Sequence, residues 1–351
     1  MADTEQTRVL KEAPVNARDW ITILARYRDP STPRSLFELF VTLGPFLLLW
    51  GLAWWSLSIS YWLALAIALV NGLFLVRLFI IQHDCGHRAF FRNKNVGDWI
   101  GRALGTLTLT PYDVWRRTHA VHHSNAGNLD KRGMGDVLTL TVREYRDLTN
   151  WGRFKYRLYR NPIILFLFGP AYLFYLQNRL PIGLMRAGWI YWTSAMSTNV
   201  VIALTLGLIA WFGGLFPILL IFVPTTFVGA VIGLWLFYVQ HQFESTQWDD
   251  DNKWQVHDAA LHGSSHYVLP RALQWLTGNI GIHHVHHLYN RIPFYRLTEV
   301  LKDQPVLNQA QRLTIGESLA CVKLQLWDEN RRRMLTQAQA RALYGPIPAR
   351  A

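Results

Sequence analysis

The sequence predicts an all-α integral membrane protein in which four transmembrane helices form two hairpins beneath a helical, histidine-rich cap on the cytoplasmic side. Three observations predict it. Hydrophobic residues make up 51% of the 351-residue chain and concentrate in four blocks, each long enough to cross a hydrocarbon core of about 30 Å. Lys and Arg avoid the short turns between paired blocks. Of the 13 histidines, eight gather in three short clusters and none lies inside a block.

The blocks are residues 36–55 and 61–81, then 189–212 and 215–239. They divide the chain into a cytoplasmic N-terminal arm (1–35), a membrane domain (36–313) and a C-terminal cytoplasmic helix and tail (314–351). The opening MADTEQTRVLKEAPVNARDW is polar and of mixed charge, unlike a signal or transit peptide, so the first span is expected to act as its own insertion signal. Two shorter apolar stretches, Ile100 to Thr110 and Ile163 to Leu176, fall below spanning length and carry Gly or Pro, which points to interfacial or re-entrant helices. From Thr314 onward, Ala, Leu, Gln and Arg recur at helical spacing, giving a solvated amphipathic helix before the loose end GPIPARA.

Orientation follows from charge. The connections Ser56 to Ser60 and Gly213 to Gly214 contain no Lys or Arg, so the arm, the middle segment and the C-terminal third are placed in the cytoplasm. Arg77, alone among the basic residues, lies in a span, near enough to its end to snorkel towards the surface. The net charge of +12 does not imply nucleic acid, because the basic residues flank spans and no helix-turn-helix, RNA-binding or zinc-finger signature occurs. Anionic lipid headgroups are the expected partner, and an acidic electron-transfer protein could use the same face. Cys85 and Cys321 form no disulfide framework.

Eight histidines fall in three clusters: His83 and His87; His119, His122 and His123; His283, His286 and His287. Spacings of three and four place the members of each cluster on one side of a helix. His241 follows the fourth span just as His83 follows the second. A single zinc takes about four ligands, so this number of imidazoles implies two metals, although imidazole alone does not distinguish iron, zinc, copper and nickel. HDCGH lacks the Glu of a zinc protease, and no E-x-x-H pair of a soluble carboxylate-bridged bundle occurs. Nor do the spans carry the ligands that a metal transporter would need.

Beginning at HDCGHRAFF, and continuing through PYDVWRRTHAVHH, YRLYRNP, YVQHQFESTQW and GNIGIHHVHHLYNRIPFYRL, the chain resembles the membrane fatty acid desaturases, nearest to the acyl-lipid omega-6 (Delta-12) type. The likeness runs from about Leu36 to Leu297. It implies two non-haem iron ions held by His83, His87, His119, His122, His123, His283, His286 and His287, with His241 as a ninth ligand. It also implies O2, a fatty acyl substrate linked to lipid, CoA or acyl carrier protein, and an external donor such as ferredoxin or cytochrome b5. A membrane di-iron hydroxylase and a non-catalytic metal-binding protein are the alternatives.

His284 is expected to support the site without ligating, and His257, His262 and His266 to lie at the surface or behind ligands. Asp84, Asp113, Asp130, Asp136 and Glu244 are candidates to accept the second N–H of a ligand ring, or else to pair with Arg. Cys85 should point away from the metals. Trp115, Trp235 and Tyr238 are candidates to line an acyl tunnel or to anchor at the membrane interface.

Overall fold

A computed structural model of the chain describes residues 18–133 and 135–346. Residues 1–17 of the N-terminal arm, and the end of GPIPARA, lie outside the described residues. Among the described residues, four helices are long and apolar enough to cross a membrane: α1, Thr32–Ser56; α2, Tyr61–Gly86; α5, Trp189–Gly213; and a fourth, Ile218–His241, whose main part is α6, Val223–His241. Local chemistry sets where they begin. Pro33 opens α1, the Ser60 hydroxyl accepts from the Leu63 N–H to cap α2, and a π-helical turn, Ile218–Phe222, precedes α6.

Helix α2 is the central one. In its most apolar stretch 56% of residues are buried within the protein, against 17–22% in the other three spans. It packs between α1 and α6, and Gly72 and Gly229 make that contact close, since a Cβ would meet Val228 or Leu75 at under 3.0 Å. The other spans expose Phe40, Leu48, Leu204, Trp211 and Leu219, the dress of a helix facing lipid.

Two spans outrun the sequence expectation at the end that matters. α2 continues through His83 to Gly86, and the fourth span ends on His241, so ligand candidates expected just beyond the spans ride on the same continuous helices. Arg77 does not snorkel. It is 1% exposed, ion-pairs with the equally buried Glu38 of α1, and lies over the Trp275 ring at 4.0 Å. Burial of the cation is tolerated because a carboxylate partner is buried with it.

Above the spans lie α3, Lys94–Leu107, and α4, Tyr112–Asn125. The apolar stretch 100–110 is the inner part of amphipathic α3, which buries Gly101, Leu104 and Gly105 and exposes Trp99. The stretch 163–176 forms two π-helical segments with Leu167, Phe168 and Tyr172 exposed. A short helix, α7, His283–Leu288, carries the last histidine cluster.

The C-terminal region departs from the expected amphipathic helix. After a short helix, Ile315–Cys321, it forms β2 (Leu326–Asp328) and β3 (Arg333–Leu335) as an antiparallel pair, and β2 joins β1 (Leu140–Thr141) in parallel. Leu326, Trp327 and Asp328 of β2 and Met334 and Leu335 of β3 are buried, so the pair is covered on both faces. Helical spacing is realised in Gln337–Tyr344, behind a capping box at Thr336. The described part of the arm is likewise tied down: Tyr27 donates to Asp303 at 2.8 Å, and the Ser31 N–H donates to the Tyr295 hydroxyl at 3.0 Å.

Candidate metal centre

Each ligand candidate is positioned by a helix. His83 lies in the last turn of α2, with His87 capping it through an N–H bond to the His83 carbonyl at 3.1 Å. α4 supplies His119, His122 and His123, and α6 supplies His241. α7 is docked by its own backbone, as the N–H groups of His283 and His284 both donate to the Ser265 carbonyl, at 3.2 and 3.3 Å.

Together these elements bring all nine rings into two groups: His83, His87, His119, His123 and His286 in one, and His122, His241, His283 and His287 in the other. Within each group one ligand atom per residue lies within 4.8 Å of every other. Neighbours on one helix part company. His122 and His123 serve different groups, as do His286 and His287, because consecutive residues point about 100° apart. The groups abut where the rings of His123 and His287 stack at 4.1 Å.

The nitrogens are arranged for a cation. Nε2 of His123 lies 3.1 Å from those of both His119 and His286, and Nε2 of His241 lies 3.1 Å from that of His122 and 3.0 Å from that of His283. Two nitrogens at about 2.1 Å from a shared ion and near right angles to one another stand about 3.0 Å apart. In addition, Nε2 of His83, His87 and His287 is buried without a hydrogen-bond partner among the described residues, a cost that coordination would remove. The donor set therefore fits metal.

Outer partners fix the tautomers. Nδ1 of His83 donates to Asp84 at 3.0 Å, Nδ1 of His122 to Asp136 at 2.5 Å, and Nδ1 of His241 to the Gly263 carbonyl at 3.2 Å. Each leaves an Nε2 lone pair facing its group. Asp84 is itself held by the Phe294 N–H at 2.6 Å. Burial, and then repulsion among neighbouring rings, holds His87, His119, His123, His283, His286 and His287 well below the ordinary histidine range, so they are neutral and able to coordinate at physiological pH.

The other candidates sort cleanly. Asp113 pairs with Arg102 at 2.9 Å, Asp130 accepts the Asp251 N–H at 2.8 Å, and Glu244 reaches Arg333 at 3.4 Å, so none of these three touches a ligand ring. His284 joins neither group. It is buried against the Leu307 carbonyl at 2.8 Å, where desolvation lowers its pKa to about 3. His266 meets the Asn308 carbonyl at 3.2 Å, His262 meets Gln311 at 3.5 Å, and His257 is half-buried. Cys85 is buried outside both groups.

Trp115 stacks on His119 at 4.6 Å, while Trp235 packs on Phe166, and Tyr238 is a core residue donating to the Cys321 carbonyl at 3.0 Å. Two contributors went unforeseen. Phe237 sits beside His122 and His241 at 5.1 and 5.2 Å, and its place four residues before His241 was a usable helical signal. The Gly263 carbonyl left no side-chain trace to read.

Comparison with known proteins decides the family. The fatty acid desaturase family model matches residues 60–312. A fatty acid desaturase of Bacillus subtilis (strain 168) is 40% identical over 334 residues, covering 95% of this chain and 93% of its own. The chain belongs to the fatty acid desaturase family. It is thus a desaturase, an oxidoreductase of lipid metabolism, and the two histidine groups lie within the matched region. More distant relatives include an sn-1 oleoyl-lipid 12-desaturase of Anabaena variabilis, 26% identical over 70% of each chain, and an sn-1 acyl-lipid omega-3 desaturase (ferredoxin) of Synechocystis, 28% identical over 81% of this chain and 79% of its own.

Proposed function

We propose that this desaturase introduces a cis double bond into a lipid-linked acyl chain, using O2 and two electrons at a pair of iron ions. The observation that carries the reading is the division of nine histidines into two abutting groups. His83, His87, His119, His123 and His286 would hold one ion, and His122, His241, His283 and His287 the other. When bound, the iron pair supplies the oxidising power that removes a hydrogen from each of two adjacent methylenes. The balance is –CH2–CH2– + O2 + 2 e⁻ + 2 H⁺ → –CH=CH– + 2 H2O.

The protein's own share is position and environment. Asp84, Asp136 and the Gly263 carbonyl keep Nε2 of three rings unprotonated and aimed, and Trp115 and Phe237 wall the rings with apolar surface. The acyl chain would come from the bilayer through an apolar passage, leaving its headgroup at the basic surface. The relatives named for acyl-lipid substrates and for ferredoxin support a lipid-linked substrate and a one-electron protein donor, with ferredoxin favoured over cytochrome b5. The histidine end of the bundle would face the cytoplasm, since Lys and Arg avoid the turns at the other end.

Lipids from a host expressing the chain, analysed by mass spectrometry after derivatisation of double bonds, should contain a new monounsaturated or diunsaturated acyl species at one position. Hydroxylated chains without a new double bond would establish the hydroxylase alternative instead. Metal bound without O2 consumption would leave only a binding protein.

A further inference from the structure

Two cavities meet at Gly127. The inner one, about 10 Å³, lies against His241, Asp136 and Trp248 and has room for about one water. The outer one, about 210 Å³, is lined by polar groups that include Asp249, Asp258 and His262, and its rim residues Gln255 and Asp258 are exposed. Gly127 is the one residue that lines both. Gly127 has φ +77°, and a Cβ there would come within 3.0 Å of the Gln247 carbonyl oxygen, so a side chain would be strained as well as obstructive.

An independent feature points to water in the inner cavity. Trp248 is only 4% exposed, and its indole N–H has no partner among the described residues. A buried donor left so carries the full cost of its lost hydration. A water accepting from Trp248 would remove that cost and could donate to Asp136 or to the Gly263 carbonyl, the two groups that orient His122 and His241.

We propose that the Gly127 duct is the solvent path of the four-histidine group, letting water out and protons in along hydrogen-bonded waters during turnover. The proposal rests on the reaction given above, which consumes two protons and releases two waters for each double bond. An apolar acyl passage conducts neither. The duct reaches a group whose His122, His241 and His283 are buried, and it does so from the side of their hydrogen-bond partners.

Ala259 lines the outer cavity and stands 3.4 Å from where a Gly127 Cβ would be, so Ala259→Phe should narrow the duct, with Ala259→Ser as the matched control. The readout is deuterium exchange of the Trp248 indole N–H in ¹⁵N-tryptophan-labelled, metal-loaded protein, the resonance being assigned by its loss in Trp248→Phe. Exchange should be at least about tenfold slower in Ala259→Phe than in the wild type or Ala259→Ser, and the solvent isotope effect on kcat should rise while KM for the acyl substrate holds. Gln255→Trp, at the rim, repeats the test should Ala259→Phe not fold. Equal exchange in the wild type and the narrowed variants, or protection in all of them, would overturn the proposal. The exchange measurement needs no turnover, so a protein that exchanges as expected yet forms no double bond sinks the reaction and not the duct.

Discussion

The two histidine groups share two helices and differ in the third. α4 and α7 contribute to both, whereas α2 completes the five-histidine group and the fourth span completes the four-histidine group. Each membrane hairpin therefore owns one group, and the cap helices staple the two together. The groups differ in enclosure too. His87, His119 and His123 are half-buried, whereas His122, His241 and His283 are buried and contact a carboxylate, a backbone carbonyl and a small cavity. One group is rich in ligands and open, and the other is lean and closed. The lean group should be the less forgiving of loss.

The largest effect expected is from ligand removal. His286→Ala and His283→Ala should both bring desaturation to background, but the first leaves four rings in its group and the second only three. Metal analysis should accordingly find about one ion lost in His283→Ala and little loss in His286→Ala. Equal losses would break the comparison.

Acid comes next. The folded rings of His87, His119, His123, His283, His286 and His287 titrate well below the usual value near 6.5, so below that pH the unfolded chain binds more protons than the folded one. Stability of the metal-free protein should be full above pH 6.5 and fall progressively beneath it, with metal moving the loss to lower pH. Thermal unfolding across that range, with and without metal, checks the sign.

Arg77→Ala should then destabilise the protein by about 3 kcal/mol, because it strands buried Glu38, with Arg34 of α1 as a partial substitute. As Arg77 lies on α2, the five-histidine group should loosen first, seen as faster metal loss to a chelator. Smallest are the outer partners. Asp136→Asn and Asp84→Asn should weaken metal binding by about 10–100-fold, with Asp136→Asn nearer the upper end, since its contact with His122 is 2.5 Å against 3.0 Å for Asp84 with His83.

Much of this was legible because helical period is a local rule. Spacings of three and four identified the three clusters, and apolar block length identified the spans. The allocation of rings to groups was not legible: His122 and His123 are adjacent in sequence, and only the placement of α2 and the fourth span decides which way each one serves. Asp136 could be named a candidate, but Asp113 looked as good until Arg102 claimed it. The β2–β3 pair was missed because each strand is only three residues long, too short to show a period, and β1, which completes the sheet, lies nearly two hundred positions away. Arg77 was misread for a similar reason, its counter-charge Glu38 lying on another helix.

The second span carries His83 in its last turn and the fourth ends on His241, one from each histidine group. A bilayer too thin for these helices makes them tilt, and tilting one hairpin against the other alters the separation of the two histidine groups. Hydrophobic mismatch is thereby written directly into the geometry of the chemistry. Reconstituted in vesicles of graded acyl length, the enzyme should work best at one thickness, so the bilayer around it would serve as the mechanical setting of its catalyst.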